Sequence, residues 1–196
     1  AQRFPGRPAL VVRHQGIRWS YAEYRREVDR FAAALLALGI EPGDRIGIWA
    51  PNCVEWCLTQ YATARIGAIM VCINPAYRLY ELEYALNKVE CKAIIAAERF
   101  RSSDYLAMLQ TLAPELARAE PGQLDAHRLP HLKTVIRMGD TATPGMFGFD
   151  AIRAAVRAQA PADREVHFLE RGFDWNALLA DAANLSLFAS RRLIEL

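Results

Sequence analysis

Few residues in this 196-residue chain are of the types and spacing that perform chemistry. His127 and His131 stand four apart with Asp125 close by, a set that could hold a metal on a helix. They fall in a proline-bounded stretch, where helical spacing loses its meaning, so no metal site is expected. Cys53 and Cys57 are also four apart, but two further ligands and a nearby histidine are missing, and core packing is the expected role. Gly139 to Gly145 is rich in small and hydroxyl residues but lacks a lysine, which predicts a surface loop. Lys88 and Lys92, one turn apart at a helix end, suit the helix dipole without any ligand. Asn74, Tyr77 and Arg78 follow directly on an apolar run, where open α/β sheets tend to bind ligands; they are the candidate substrate contacts. The plainer alternative is that Asn74-Pro75 shapes a turn and Arg78 lies in the first turn of a solvated helix. Neither phosphate-cradling glycine motif occurs, nor a nucleophile elbow, nor a zinc-protease motif. No catalytic residue is assigned.

The elements that must position these residues are easier to read. Ala9–Val12 and Ile17–Trp19 flank a polar turn and predict a hairpin. Ser20 and Glu23 form a capping box, with Trp19 and Tyr24 as its hydrophobic staple. Tyr21, Tyr24, Val28, Phe31, Leu35 and Leu38 then follow helical spacing up to Gly39. Glu41-Pro42-Gly43-Asp44 is a turn, and Arg45 to Trp49 a short strand. Asn52 is the expected cap of the next helix, with Glu55 three residues later. Ala68 to Ile73 is a continuous apolar run, as expected of a strand buried on both faces. Leu79, Leu82, Leu86 and Val89 mark another helix, Ala93 to Ala97 another buried strand. A helix over 103–116, a polar loop over 119–130 and a strand over 133–138 add one more unit. Alternating strands and helices predict an α/β fold: a mainly parallel sheet with helices on both faces, an N-terminal β-hairpin and a helical tail. The boundary is set at 160, with 1–160 as one layer and 161–196 as a divergent, mostly helical tail.

Composition narrows the function classes. Hydrophobic residues make up 53% and charged residues 23%, and the net charge is +2. That balance offers no electrostatic case for nucleic acid or an anionic membrane. No apolar run approaches the ~20 residues of a transmembrane helix. The start of the chain carries no secretory h-region and the cysteines read as reduced thiols, so a cytoplasmic location is expected.

One string of segments is more specific than its parts. It runs Trp19-Ser20-Tyr21-Ala22-Glu23, then Leu38 to Ile48, Ala50-Pro51-Asn52, Ala64 to Ile69, Ile73-Asn74-Pro75-Ala76-Tyr77 and Glu81 to Tyr84. His131 to Asp140 and Thr143-Pro144-Gly145-Met146 continue it. In this order and spacing, over about residues 4 to 155, the sequence resembles the N-terminal portion of the AMP-forming acyl-CoA synthetases, in the adenylate-forming superfamily. The resemblance implies a parent enzyme that activates a carboxylic (fatty) acid with ATP and Mg, and passes the acyl group from its adenylate to CoA. It also implies a Ser/Thr/Gly-rich loop ending in lysine, an acidic ribose contact and a lysine from a mobile C-terminal domain, none of which this sequence carries. No ATP, Mg or CoA is therefore expected to act on this chain alone. Past Ala160 the sequence departs from the family pattern, by truncation, a shifted frame or a divergent ending. The expected product is an N-terminal fragment of a fatty acid–CoA ligase, inactive in isolation. The alternative is a non-catalytic α/β binding or interaction domain derived from that family. Apolar surface left uncovered predicts self-association.

Overall fold

The computed structural model describes residues 1–139 and 141–158. An antiparallel hairpin comes first, β1 (Pro8–Val12) against β2 (Ile17–Ser20), turned by a 3-10 segment at Arg13–Gln15. Helix α1 (Tyr21–Ala37) follows at once, because Ser20 starts it in the expected way. The Ser20 hydroxyl accepts from the Glu23 N–H at 3.3 Å, and the Glu23 carboxylate accepts from the Ser20 N–H at 2.8 Å. The rings of Trp19 and Tyr24 stack outside this box at 6.3 Å. Gly39 then ends the helix region at φ 78°, a backbone that only glycine adopts without strain.

The sheet rhythm begins with β3 (Arg45–Trp49), α2 (Val54–Arg65), β4 (Ile69–Cys72), α3 (Leu79–Lys88) and β5 (Ala93–Ala96). A small antiparallel ribbon, β6 (Arg99–Phe100) with β7 (Ser103–Asp104), leads into α4 (Tyr105–Leu112). Then come β8 (Thr134–Arg137), β9 (Phe147–Gly148) and α5 (Phe149–Ala158). Five strands form one sheet in the order β4-β3-β5-β8-β9, and every pairing in it is parallel. The α/β fold with helices on both faces and an N-terminal hairpin is therefore as the sequence predicts. The expected helical tail, 161–196, lies outside the described residues.

Alternation along each strand divides the core in two. Ile46, Ile48, Ile95 and Ile136 pack with Phe31, Leu35, Leu58 and Phe149 of α1, α2 and α5, where the Phe31 and Phe149 rings approach to 4.4 Å. Trp49, Ile94 and Val135 face the other way, onto Leu82 and Leu86 of α3 and Leu109 and Leu112 of α4. Gly47 belongs to this second face. A Cβ there would sit 2.8 Å from Ile73 Cδ1, so the close approach of strand and side chain requires glycine.

Two expectations are corrected. The run 68–73 is not a strand buried on both faces: β4 is an edge strand, Ile69 is 52% exposed and Cys72 is exposed. Its apolar composition could not disclose that the strand order leaves one side of it unpaired. Nor does Asn52 cap α2. The helix starts after Cys53 without a cap from that residue's own side chain, and the hairpin turn supplies one instead. Gln15 Oε1 accepts from the Val54 N–H at 2.7 Å, while Gln15 Nε2 donates to the Glu55 carboxylate at 3.0 Å. Lys92 also does more than sit near a helix end: its Nζ donates to the Gly39 carbonyl at 2.9 Å and pairs with Asp44.

Candidate functional site

Counted in chain order within the sheet, the five strands read 2-1-3-4-5, so the order reverses between β3 and β5. In open α/β sheets ligands bind outside the carboxyl ends of the strands, at such a reversal. Here that edge is built around two stacked aromatics. Trp49 ends β3 and Tyr105 begins α4; their rings lie 3.6 Å apart at 10°, both fully buried. Each has a polar tip that must be satisfied once buried. Trp49 Nε1 donates to the Asn74 carbonyl at 3.1 Å, and the Tyr105 hydroxyl donates to the Pro75 carbonyl at 2.6 Å. Burial pushes the Tyr105 hydroxyl above its ordinary pKa, so it stays a donor. The stack thus clamps the loop that follows β4.

The three sequence-predicted candidates sit on that loop in different surroundings. Asn74 Oδ1 accepts from the Ala76 N–H at 2.9 Å, and the Asn74 carbonyl also accepts from the Tyr77 N–H at 3.0 Å. Its side chain is thereby used in shaping the turn. Tyr77 is half-buried and lines a groove of about 250 Å³ between the end of β4 and α3. Arg78 is exposed at the start of α3, where its N–H donates to Glu81 Oε2 at 3.1 Å. The three share one loop, and the backbone bond from Tyr77 N–H to the Asn74 carbonyl links two of them, but their side chains do not meet in a common polar contact among the described residues.

Sequence reasoning missed Arg137. It closes β8 with a side chain 1% exposed, within 3.5 Å of the half-exposed Glu98 carboxylate, and its Nη1 donates to the Thr141 carbonyl. Its Nε has no partner among the described residues. The available signal was an arginine inside the apolar run Thr134 to Met138. The Trp49–Tyr105 stack, formed across 56 positions, left no local signal.

His127 and His131 are both exposed, and the His127 N–H donates to Glu115. Among the described residues no three His, Cys, Asp or Glu side chains converge as a metal site. Of the lysines, Lys92 pairs with Asp44 and Lys133 with Asp125, away from any glycine-rich loop. The described residues therefore do not fit a magnesium-bound triphosphate. The cysteines are free thiols, and burial pushes Cys53 and Cys91 up to about 12. No described helix is long and apolar enough to cross a membrane.

Fold and strand order together define the class: a doubly wound parallel α/β layer, a fold in which ligands bind outside the carboxyl ends of the strands. The chain belongs to the AMP-binding enzyme family, whose pattern matches residues 1–165. It is 48% identical over 155 residues to the medium-chain acyl-CoA ligase ACSF2, mitochondrial, of Rattus norvegicus, an alignment covering 79% of this chain and 25% of that protein. The fatty acyl CoA synthetase of Mycobacterium tuberculosis shares the fold at a TM-score of 0.60 and 25% identity, over 80% of this chain and 26% of that one. An anthranilate CoA ligase, AuaEII, solved with anthranoyl-AMP, superposes at a TM-score of 0.64 with 19% identity, over 78% and 26% of the two chains. This chain thus spans about a quarter of the length of the relatives it matches. Those relatives are acyl-CoA ligases, and the family implies ATP, Mg and CoA for its full-length enzymes.

Proposed function

We propose that this chain supplies the N-terminal sheet layer of an ATP-dependent fatty acid–CoA ligase that works through an acyl-adenylate. By itself it does not activate a carboxylate. The observation that carries this reading is the 48% identity over 155 residues, falling on a unit whose described residues include no metal cluster and whose sequence carries no lysine-ended Ser/Thr/Gly-rich loop. Its part in the reaction is to present a rigid carboxyl edge, with the Trp49–Tyr105 clamp holding the loop after β4 in place. Of the candidate substrate contacts on that loop, Arg78 is exposed and Tyr77 half-buried, whereas Asn74 acts through the turn. We divide the chain at 160, treating 161–196 as a separate segment. We also assign the chain to the cytoplasm, supported by its four free cysteines; cell fractionation tests this.

The experiment is a segment exchange. Residues 1–155 replace the matching portion of the rat ligase, and thioester formation from a medium-chain acid, ATP and CoA is measured. The proposal expects turnover. A chimera that melts cooperatively yet forms no thioester would contradict it.

A further inference from the structure

We propose that the edge strand β4, unpaired on its outer side among the described residues, and the outward side of α3 form a two-fold interface between two copies of this chain. Parallel pairing with β3 uses the N–H groups of Ile69, bound to the Asp44 carbonyl at 2.8 Å, and Ile73, bound to Ile48 at 3.0 Å. By alternation the N–H and C=O groups of Met70 and Cys72 point away from β3, and among the described residues no strand pairs with them. The strand Ile69–Cys72 holds no proline or charge that would blunt such an edge. Beside it lies the groove of about 250 Å³, and on its rim Tyr80 and Tyr84 are 78% and 61% exposed.

The charges of this groove identify the occupant. Glu81 and Lys88 both line it, on either side of Tyr84 and Ala85. They lie seven positions apart on the helix, about 10.5 Å along its axis. A two-fold axis beside Tyr84 brings Glu81 onto the partner's Lys88 and Lys88 onto the partner's Glu81, the self-complementarity an isologous contact requires. The strand gives the same operator. In an antiparallel pair, outward-facing residues oppose outward-facing residues, so an axis through Val71 sets Met70 against the partner's Cys72 and Val71 against its own copy. Val71 lines the same groove as Tyr84 and Ala85. The two five-stranded sheets then join into one. A partner of one charge sign, acidic or basic, would meet both signs in this groove.

Sedimentation velocity on the reduced 196-residue chain, from about 1 to 100 µM, tests this. The wild type associates to a dimer. Glu81→Lys and Lys88→Glu each weaken the dimer about tenfold or more, by placing like charges together twice. The double variant restores it. Glu81→Lys also loses the carboxylate that accepts from the Arg78 N–H, and both single changes oppose the helix dipole, but these costs persist in the double variant whereas the interface effect cancels, so the two are separable. Val71→Cys gives a disulfide-linked dimer on mild oxidation, because an antiparallel non-hydrogen-bonded pair sets Cα atoms about 4.5 Å apart, within disulfide range. The same change at exposed Tyr61, on α2, does not. A chain that stays monomeric over the range overturns the proposal, and so does association indifferent to the reversals or a Val71→Cys variant that fails to cross-link.

Discussion

Thr143-Pro144-Gly145-Met146 is among the segments that relate this chain to its family, and its glycine can be tested directly. Gly145 has φ +71°, and a Cβ on it would lie 2.3 Å from the Leu116 carbonyl oxygen. Gly16 has nearly the same backbone, φ +66°, with nothing within 4 Å of the corresponding Cβ position. Alanine at the two sites therefore pays the same left-handed cost, about 1 kcal/mol, and differs only in the space it meets. At Gly145 the collision is with backbone, which cannot rotate aside, adding about 2 kcal/mol or more. With a slope near 2 kcal/mol/M, the urea midpoint falls by about 0.5 M for Gly16→Ala and about 1.5 M for Gly145→Ala. Tryptophan fluorescence follows the transition, since Trp49 is fully buried. Equal shifts for the two variants would refute the reasoning, and would mean that the turn into β9 does not rest on the 3-10 segment Pro114–Ala117.

Three further outcomes are expected. Gln15→Ala costs about 1 kcal/mol by uncapping α2, whereas Asn52→Ala stays within about 0.5 kcal/mol; thermal melts of the pair distinguish them. Of the four thiols, an aromatic disulfide reagent at mildly alkaline pH, with the chain dilute enough to be monomeric, labels Cys72 fast and buried Cys91 only on unfolding; Cys72→Ser removes the fast phase. Hydrogen bonds from the Arg128 guanidinium, at 2.9 and 2.6 Å, hold the Glu83 carboxyl below its ordinary value of 4.5. A depressed carboxylate contributes stability that is present above the ordinary value and lost as pH falls through the lower folded value. Acid titration of the melting temperature should therefore show a decline below about pH 4.5 that is shallower in Glu83→Gln.

What was legible in the sequence was what neighbours along the chain decide. The Ser20–Glu23 box, the Gly39 stop, the Glu41–Asp44 turn and the alternation of strands with crossover helices all rest on residues a few positions apart. What was not legible depends on partners far away. Gln15 caps a helix that begins 39 positions later, and β4 looks like an interior strand because composition reports apolarity and not strand order. The ribbon of β6 and β7 and the short β9 carry too few residues for any period to show. At the candidate site, the turn around Asn74 could be read from its Asn-Pro pair. The donors that clamp it, Trp49 and Tyr105, come from other elements; Arg137 stands out only as an arginine in an apolar run, and its burial against Glu98 follows from the sheet's edge.

The central claim, that this layer belongs to an acyl-CoA ligase but does not itself activate a carboxylate, meets its most direct test in pyrophosphate exchange. Labelled pyrophosphate is followed into ATP in the presence of Mg and a medium-chain fatty acid, on the purified, cooperatively melting 196-residue chain. The account predicts no exchange above the blank without fatty acid. Carboxylate-dependent exchange that persists through repeated purification would contradict it, and would place an adenylating site within these 196 residues.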